Sequence, residues 1–149
     1  MPLATILTEV RAILLTVPGM SPKVYTYEPW AAQASAVRAL FTAGPLLHAW
    51  TLTRESSTEQ RLATGHENVV IHTLRVRGYY SLGASGETAT TFQTLIEAIL
   101  TTFRLLPALN GAAETSGPLQ VELVEPRMFC EVLCHYAELR LDVQELVTW

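Results

Sequence analysis

The stretch SGETATTFQTLIEAILTTFRLL, residues 85–106, carries the clearest helical pattern in the chain. Its large apolar residues recur at steps of three or one, which places them on one face of a helix: Phe92, Leu95, Ile96, Ile99, Leu100, Phe103 and Leu106. Ser85 suits the N-cap, and Glu87 lies in the first turn, where the helix dipole favours an acid. The intrinsic helix propensity is poor, because six of the residues are β-branched threonines. Packing onto a sheet must therefore hold this helix.

The segments before this helix predict the sheet. In residues 46–53 and 67–77, apolar side chains recur at every second position, as in half-buried strands. Between them, the polar segment RESSTEQRLATG, residues 54–65, lacks regular apolar spacing. The two strands therefore predict a β-hairpin whose tip is a long exposed loop at 54–65. Loops of that length on compact domains tend to be functional or disordered.

The remaining segments complete a single domain over residues 1–149. Helices are predicted at 3–17 and 30–42, a short strand at 24–27, and two final strands on either side of a bend at Pro126. The resulting order, α-β-α-β-β-α-β-β, predicts an α+β or mixed α/β fold. We expect a mostly antiparallel or mixed sheet with two to three helices packed on one face.

The chain is sparingly charged. Charged residues make up 16% of the sequence and the mean hydropathy is +0.23, whereas about 25% charge is typical. Either a surface rich in serine and threonine or contact with other subunits would account for this. The whole net charge of −4 falls in residues 101–149, and no basic patch occurs, which argues against nucleic-acid binding through phosphate neutralisation. The short apolar runs and the absence of a basic N-terminal region indicate a soluble intracellular chain.

The sequence offers little reactive chemistry. Cys130, Cys134 and His135 form a C-x3-C-H pattern that matches no standard zinc site, although His48, His66 or His72 could complete a ligand set. Cys134 and His135 are neighbours on a predicted strand, so their side chains should point to opposite faces and not share a proton. We therefore predict no catalytic, metal-binding or cofactor-binding residue. The alternative is a small intracellular enzyme or ligand-binding α+β domain that uses Cys134 and His135.

Several short segments together resemble tail terminator, or tail completion, proteins of long-tailed bacteriophages. The resemblance extends over most of the chain. It rests on Val17-Pro18-Gly19, the segment Tyr25-Thr26-Tyr27-Glu28-Pro29-Trp30, Trp50, Gly78-Tyr79-Tyr80-Ser81-Leu82, the helix with Phe92, and Leu133-Cys134-His135-Tyr136-Ala137-Glu138-Leu139.

The resemblance implies a structural virion protein without catalytic residues or cofactors. Such a protein assembles as a ring, expected to be hexameric, on the head-proximal end of the tail tube. The ring ends tube polymerisation and joins the tail to the head connector, while genomic DNA passes through the lumen without specific binding. Its partners would be copies of itself, the tail tube protein and the connector or stopper protein, with no membrane involved. It would lie in the virion neck, and in the host cytoplasm during assembly.

Two sets of residues are expected to serve this role. We predict that one set contacts a neighbouring subunit or the tube: Trp50, Arg54, Glu55, Glu59 and Arg61. We predict that a second, acidic set lines the lumen, where negative charge would repel the DNA phosphates: Glu122, Glu125 and Glu138.

Overall fold

The computed structural model describes residues 2–149, which fold as three α-helices and seven strands in an α+β arrangement, as the sequence predicts. In chain order the elements are α1 (Leu3–Leu15), β1 (Val24–Tyr25), α2 (Ala34–Leu40), β2 (Thr42–Ala43), β3 (Leu46–Arg61), β4 (Glu67–Ser81), α3 (Glu87–Arg104), β5 (Thr115–Ser116), β6 (Gln120–Phe129) and β7 (Val132–Thr148). A short 3₁₀ helix, Leu109–Gly111, lies between α3 and β5.

Three long strands form the centre of the sheet. β4 pairs with β3 on one side and with β7 on the other, antiparallel in both cases and over almost its whole length. Short strands flank them, since β1 and β2 pair with β3, while β5 and β6 pair with β7. Among the strands of residues 2–149, the pairing of β1 with β3 is the only parallel one.

The main core lies between one face of the sheet and the helices α1 and α3. The apolar faces of the two helices are fully covered, including Ile6 and Val10 of α1. Trp50 of β3 is 0% exposed, and its ring stacks on Phe92 of α3 at a centroid distance of 5.9 Å. Burial of each such side chain contributes about 1.5–3 kcal/mol. This packing supplies the stability that the threonine-rich sequence of α3 lacks.

The opposite face of the sheet carries a second apolar cluster, which corrects the prediction that the helices cover one face. Its buried members are Phe41, Leu47, Ala49, Tyr79, Cys134 and Tyr136, and Val37 and Leu40 of α2 pack against them. The residues of β3 and β7 alternate between the two clusters, with odd positions of β3 on this face and even positions on the other. α2 therefore lies on the other side of the sheet from α1 and α3.

The prediction of a long loop at 54–65 is wrong, because β3 continues as a strand to Arg61. The chain reverses over residues 62–66, and β4 begins at Glu67. Every residue from Arg54 to Arg61 is exposed, so the sequence has no apolar alternation to reveal the strand. Its pairing with β4, interrupted by a β-bulge between Arg54 and Ser56, holds it extended.

The predicted bend at Pro126 is also wrong. β6 runs straight through Pro126 to Phe129, which an edge strand tolerates because one side of it makes no ladder hydrogen bonds. The chain turns instead at Cys130 and Glu131, whose φ angles are 47° and 70°. Two consecutive residues with positive φ are the signature of a two-residue hairpin turn, but neither residue is one of the glycines or asparagines that usually announce it.

Replacement of Gly78 by alanine tests the packing of Trp50. A Cβ atom at Gly78 would lie 2.4 Å from the Trp50 ring, too close for any real contact. We expect Gly78→Ala to lower the free energy of unfolding by about 3 kcal/mol, because the buried indole cannot move aside. Urea denaturation measures the change. Gly86→Ala is the control, since nothing lies within 4 Å of a Cβ there. A Gly78→Ala protein as stable as the Gly86→Ala protein would contradict this packing.

Candidate functional site

The outer half of β3 presents an open strand edge. β2 pairs with β3 at Leu46 and Leu47, and β1 pairs with it at Trp50 and Thr51. Beyond that point, residues 52–61 pair with β4 on one side, and no strand of the described chain pairs with them on the other. We call residues 52–61 the free edge. Unpaired backbone N–H and C=O groups in such an edge can accept a further strand.

Four of the predicted contact residues lie on this free edge, and all four are exposed: Arg54, Glu55, Glu59 and Arg61. Their side chains are partly engaged within the chain. Glu59 accepts a hydrogen bond of 2.8 Å from the amide of Asn68, and the Arg61 guanidinium lies 5.7 Å from the centre of the Trp149 ring. Trp149 is 59% exposed, so this end of the hairpin presents aromatic as well as charged groups.

Trp50 does not belong with them, and its prediction as a contact residue is wrong. Its side chain is 0% exposed within the chain, so no neighbouring subunit can contact it. Its indole N–H donates a hydrogen bond of 3.1 Å to Nε2 of His48, which satisfies the ring's single polar atom. Trp50 is a core residue that positions the free edge without being part of it.

A network of ion pairs crosses the face of the sheet opposite α1 and α3. Arg75 of β4 is its centre and contacts the carboxylates of Glu55, Glu122 and Glu138. Hydrogen bonding from Arg75 lowers the pKa of Glu55, and the same contact raises the pKa of the Arg75 guanidinium. Two further pairs extend the network, Arg77 with Glu28 at 3.3 Å and Arg140 with Asp142 at 3.1 Å. We call these eight residues the charged band.

The three acidic residues predicted to line a lumen all have arginine partners. Glu122 and Glu138 belong to the charged band through Arg75. Glu125 pairs with Arg127 at 2.8 Å, and the Arg127 guanidinium lies 3.9 Å from the centre of the Tyr136 ring. Their charges are therefore partly neutralised within the chain. The sequence could not show this, because Arg75 and its carboxylate partners come from four different strands.

A buried histidine, His72, links the three long strands. The sequence alone did not identify the group of residues that it joins. Nδ1 of His72 lies 2.6 Å from the Ser57 hydroxyl, and Nε2 lies 3.2 Å from a carboxylate oxygen of Glu145. The carboxylate accepts from Nε2–H, which leaves Nδ1 to accept from the serine. His72 and Glu145 are 5% and 6% exposed, whereas Ser57 is exposed. The array satisfies polar groups that would otherwise be costly to bury, and it has the order of a hydroxyl–imidazole–carboxylate relay.

The structure separates Cys134 from His135. Cys134 is 0% exposed in the second cluster, where burial raises the pKa of its thiol to about 11, and its S–H donates to the carbonyl of Arg127. His135 points to the other face, where it stacks on Phe92 at 5.7 Å and hydrogen-bonds Thr88 at 3.0 Å. The two side chains therefore point to opposite faces of the sheet, as the sequence predicts, and do not form one reactive pair.

The other histidines do not assemble a metal site either. His48 is buried beside Trp50, and burial lowers its pKa to about 4, while His66 is exposed at the hairpin turn. Across residues 2–149, no group of three or more histidine, cysteine, aspartate or glutamate side chains is arranged to hold a metal ion.

Comparison with known proteins does not assign the chain to a family. No family model matches it, and no curated protein sequence matches it. None of the helices in residues 2–149 is long and apolar enough to cross a membrane.

The thiol chemistry provides a direct test of the environment of Cys134. At pH 8 a thiol with a pKa of about 11 is ionised on the order of once in a thousand molecules, and it is also inaccessible. We expect Ellman's reagent to modify the half-buried Cys130 within minutes and Cys134 only after unfolding. Cys130→Ser should therefore abolish the fast phase, and Cys134→Ser should leave it unchanged. Two fast thiols in the native protein would contradict this environment.

Proposed function

We propose that this chain is the subunit of a ring in the neck of a long-tailed bacteriophage, where it ends the tail tube and joins it to the head connector. The observation that carries the proposal is the free edge of β3. It is a long, exposed strand that pairs with β4 on one side only, and its side chains carry both charges. A strand of another copy can pair with the open side, and the charged side chains and the β-bulge of this edge restrict which strands fit it.

The rest of the surface supports an assembled state. Charge is scarce, and large apolar side chains are exposed at several separate places, among them Trp30 at 78%, Leu105 at 75% and Met128 at 62%. Two different surfaces in contact produce a head-to-tail interface, which closes into a ring when the rotation between subunits allows it. The free edge and the opposite, β6 edge of the sheet differ in sequence and shape, as this kind of interface requires.

The charged band is suited to line a channel for DNA. It contains five carboxylates and three guanidinium groups, so a negative excess remains after pairing. The arginines are engaged by carboxylates and are not available to grip phosphate. A surface of this kind repels the DNA backbone weakly and lets it slide past. We therefore retain Glu122 and Glu138 of the charged band as proposed lumen residues, together with Glu125, whose carboxylate is likewise paired with an arginine.

Lysines on the free edge test the role of this strand. Ser56→Lys/Thr58→Lys adds two charges to exposed positions of the edge, and Thr90→Lys/Thr101→Lys adds the same charge to the exposed face of α3. We expect the first variant to stay monomeric and to fail to cap polymerising tail tubes, because edge lysines oppose strand pairing. The control should assemble and cap like the unmodified chain.

Light scattering after size exclusion gives the mass, and electron microscopy of tubes gives their length. The free edge is irrelevant if the Ser56→Lys/Thr58→Lys protein assembles and caps normally. The ring function fails if the unmodified chain neither assembles alone nor shortens tubes.

A second candidate function is supported by the array of Ser57, His72 and Glu145. In an acyl-transfer enzyme, the Ser57 oxygen would attack an acyl carbon while its proton passes to Nδ1 of His72, and Glu145 would stabilise the resulting imidazolium. The imidazolium would then give this proton to the leaving group as the bond between that group and the acyl carbon breaks, which leaves the acyl group on Ser57. This arrangement replaces Cys134 and His135 as the basis of the enzyme alternative. The two candidate functions differ in whether the Ser57 hydroxyl is a reactive nucleophile.

A fluorophosphonate probe separates the two functions. The ring function predicts that Ser57 remains unlabelled, because the array then serves only to satisfy buried polar groups. Labelling that disappears in Ser57→Ala and in His72→Gln, but persists in Ser56→Ala, would instead establish a nucleophile. Mass spectrometry of the intact protein detects the added group.

A further inference from the structure

A groove lies where the last turn of α3 meets the segment that leads to β6. Its floor and walls are apolar and include Phe103, Leu119 and Leu141, with Pro107 and Pro118 on the sides. The cavity volume is about 230 Å³. Pockets that enclose a whole small ligand usually measure about 300–1,000 Å³. The groove therefore has the size for one large side chain.

Backbone contacts hold the groove open in a fixed shape. β5 pairs with β7, the N–H of Gly117 donates to the carbonyl of Asp142 at 2.9 Å, and the Ser116 hydroxyl donates to the carbonyl of Pro107 at 2.9 Å. Gly117 has a φ of 82°, a conformation that glycine adopts without strain. Since the wall is anchored to a central strand, a partner would bind without ordering this segment first.

One charged residue, Arg104, borders the groove. It is exposed in the last turn of α3, and no carboxylate within residues 2–149 forms an ion pair with it. Four other arginines, Arg75, Arg77, Arg127 and Arg140, are held by carboxylates, whereas Arg104 keeps its charge available at the border of the groove. A guanidinium beside an apolar pocket offers charge-assisted hydrogen bonds to an incoming carboxylate.

We propose that this groove binds an extended segment of a partner polypeptide in which a large apolar side chain stands next to an acidic residue. The apolar side chain fills the cavity, and the carboxylate pairs with Arg104. This surface lies on the face of the sheet opposite the charged band and beside the β6 edge, on the other side of the sheet from the free edge.

Saturation-transfer NMR on a peptide tests the site in the full chain, whatever its assembly state. The probe is acetyl-Ala-Phe-Glu-Ala-amide, at concentrations up to about 5 mM, as single-residue anchors bind in the millimolar range. We expect saturation of the phenyl protons and a dissociation constant that rises about tenfold for Arg104→Gln or for the Phe-Gln peptide. Arg104→Lys should restore part of the affinity. Arg54→Gln, an exposed arginine on the free edge, should leave it unchanged.

Each other result overturns the proposal. Absence of transfer at the highest peptide concentration shows that the groove has no such ligand. Equal binding of the Phe-Gln peptide, or no effect of Arg104→Gln, removes the role of the charge pair. Binding of benzoate as tight as that of the peptide indicates a small anionic ligand and not a polypeptide.

Discussion

The contact between the Trp50 ring and the backbone of Gly78 is the constraint on which the rest of the structure depends. The indole occupies the space where any other residue at position 78 would place a Cβ atom. It also stacks on Phe92 and lies on the strand that β1 joins in parallel at the same position. One side chain thus packs over β4 and against α3, at the position where β1 joins β3. Packing of this density leaves no room for adjustment.

The sheet that forms around this contact has two ends with different properties. Near Trp50 and Gly78 both faces are covered, by α1 and α3 on one side and by α2 on the other. Towards the hairpin turn, β3 becomes exposed on both faces and forms the free edge of the sheet. The array of Ser57, His72 and Glu145 joins the strands there with hydrogen bonds in place of apolar packing. The end with the fewest apolar contacts is thus also the end that we propose contacts another subunit.

The sequence predicted those parts of the fold in which burial leaves a periodic pattern. α3, the buried half of β3 and most of β4 have one covered face, so the α+β class and the main core followed from them. The pattern fails where a strand is exposed throughout, as from Arg54 to Arg61, and where a turn uses unusual residues, as at Cys130 and Glu131. The charged band and the histidine array were also out of reach, because strands distant in sequence bring their members together and no local spacing encodes them.

Hydrogen–deuterium exchange at the free edge tests most directly whether this strand joins another copy of the chain. Unpaired amides of an edge strand exchange quickly in a monomer and slowly once a second strand covers them. We expect those amides of residues 56–61 that point away from β4 to gain protection as the protein concentration rises and the assembly forms, while the exposed turn residues Ala63 and Thr64 keep their rapid exchange. If the amides of residues 56–61 exchange equally fast in the dilute and the assembled protein, the free edge is not the contact between subunits.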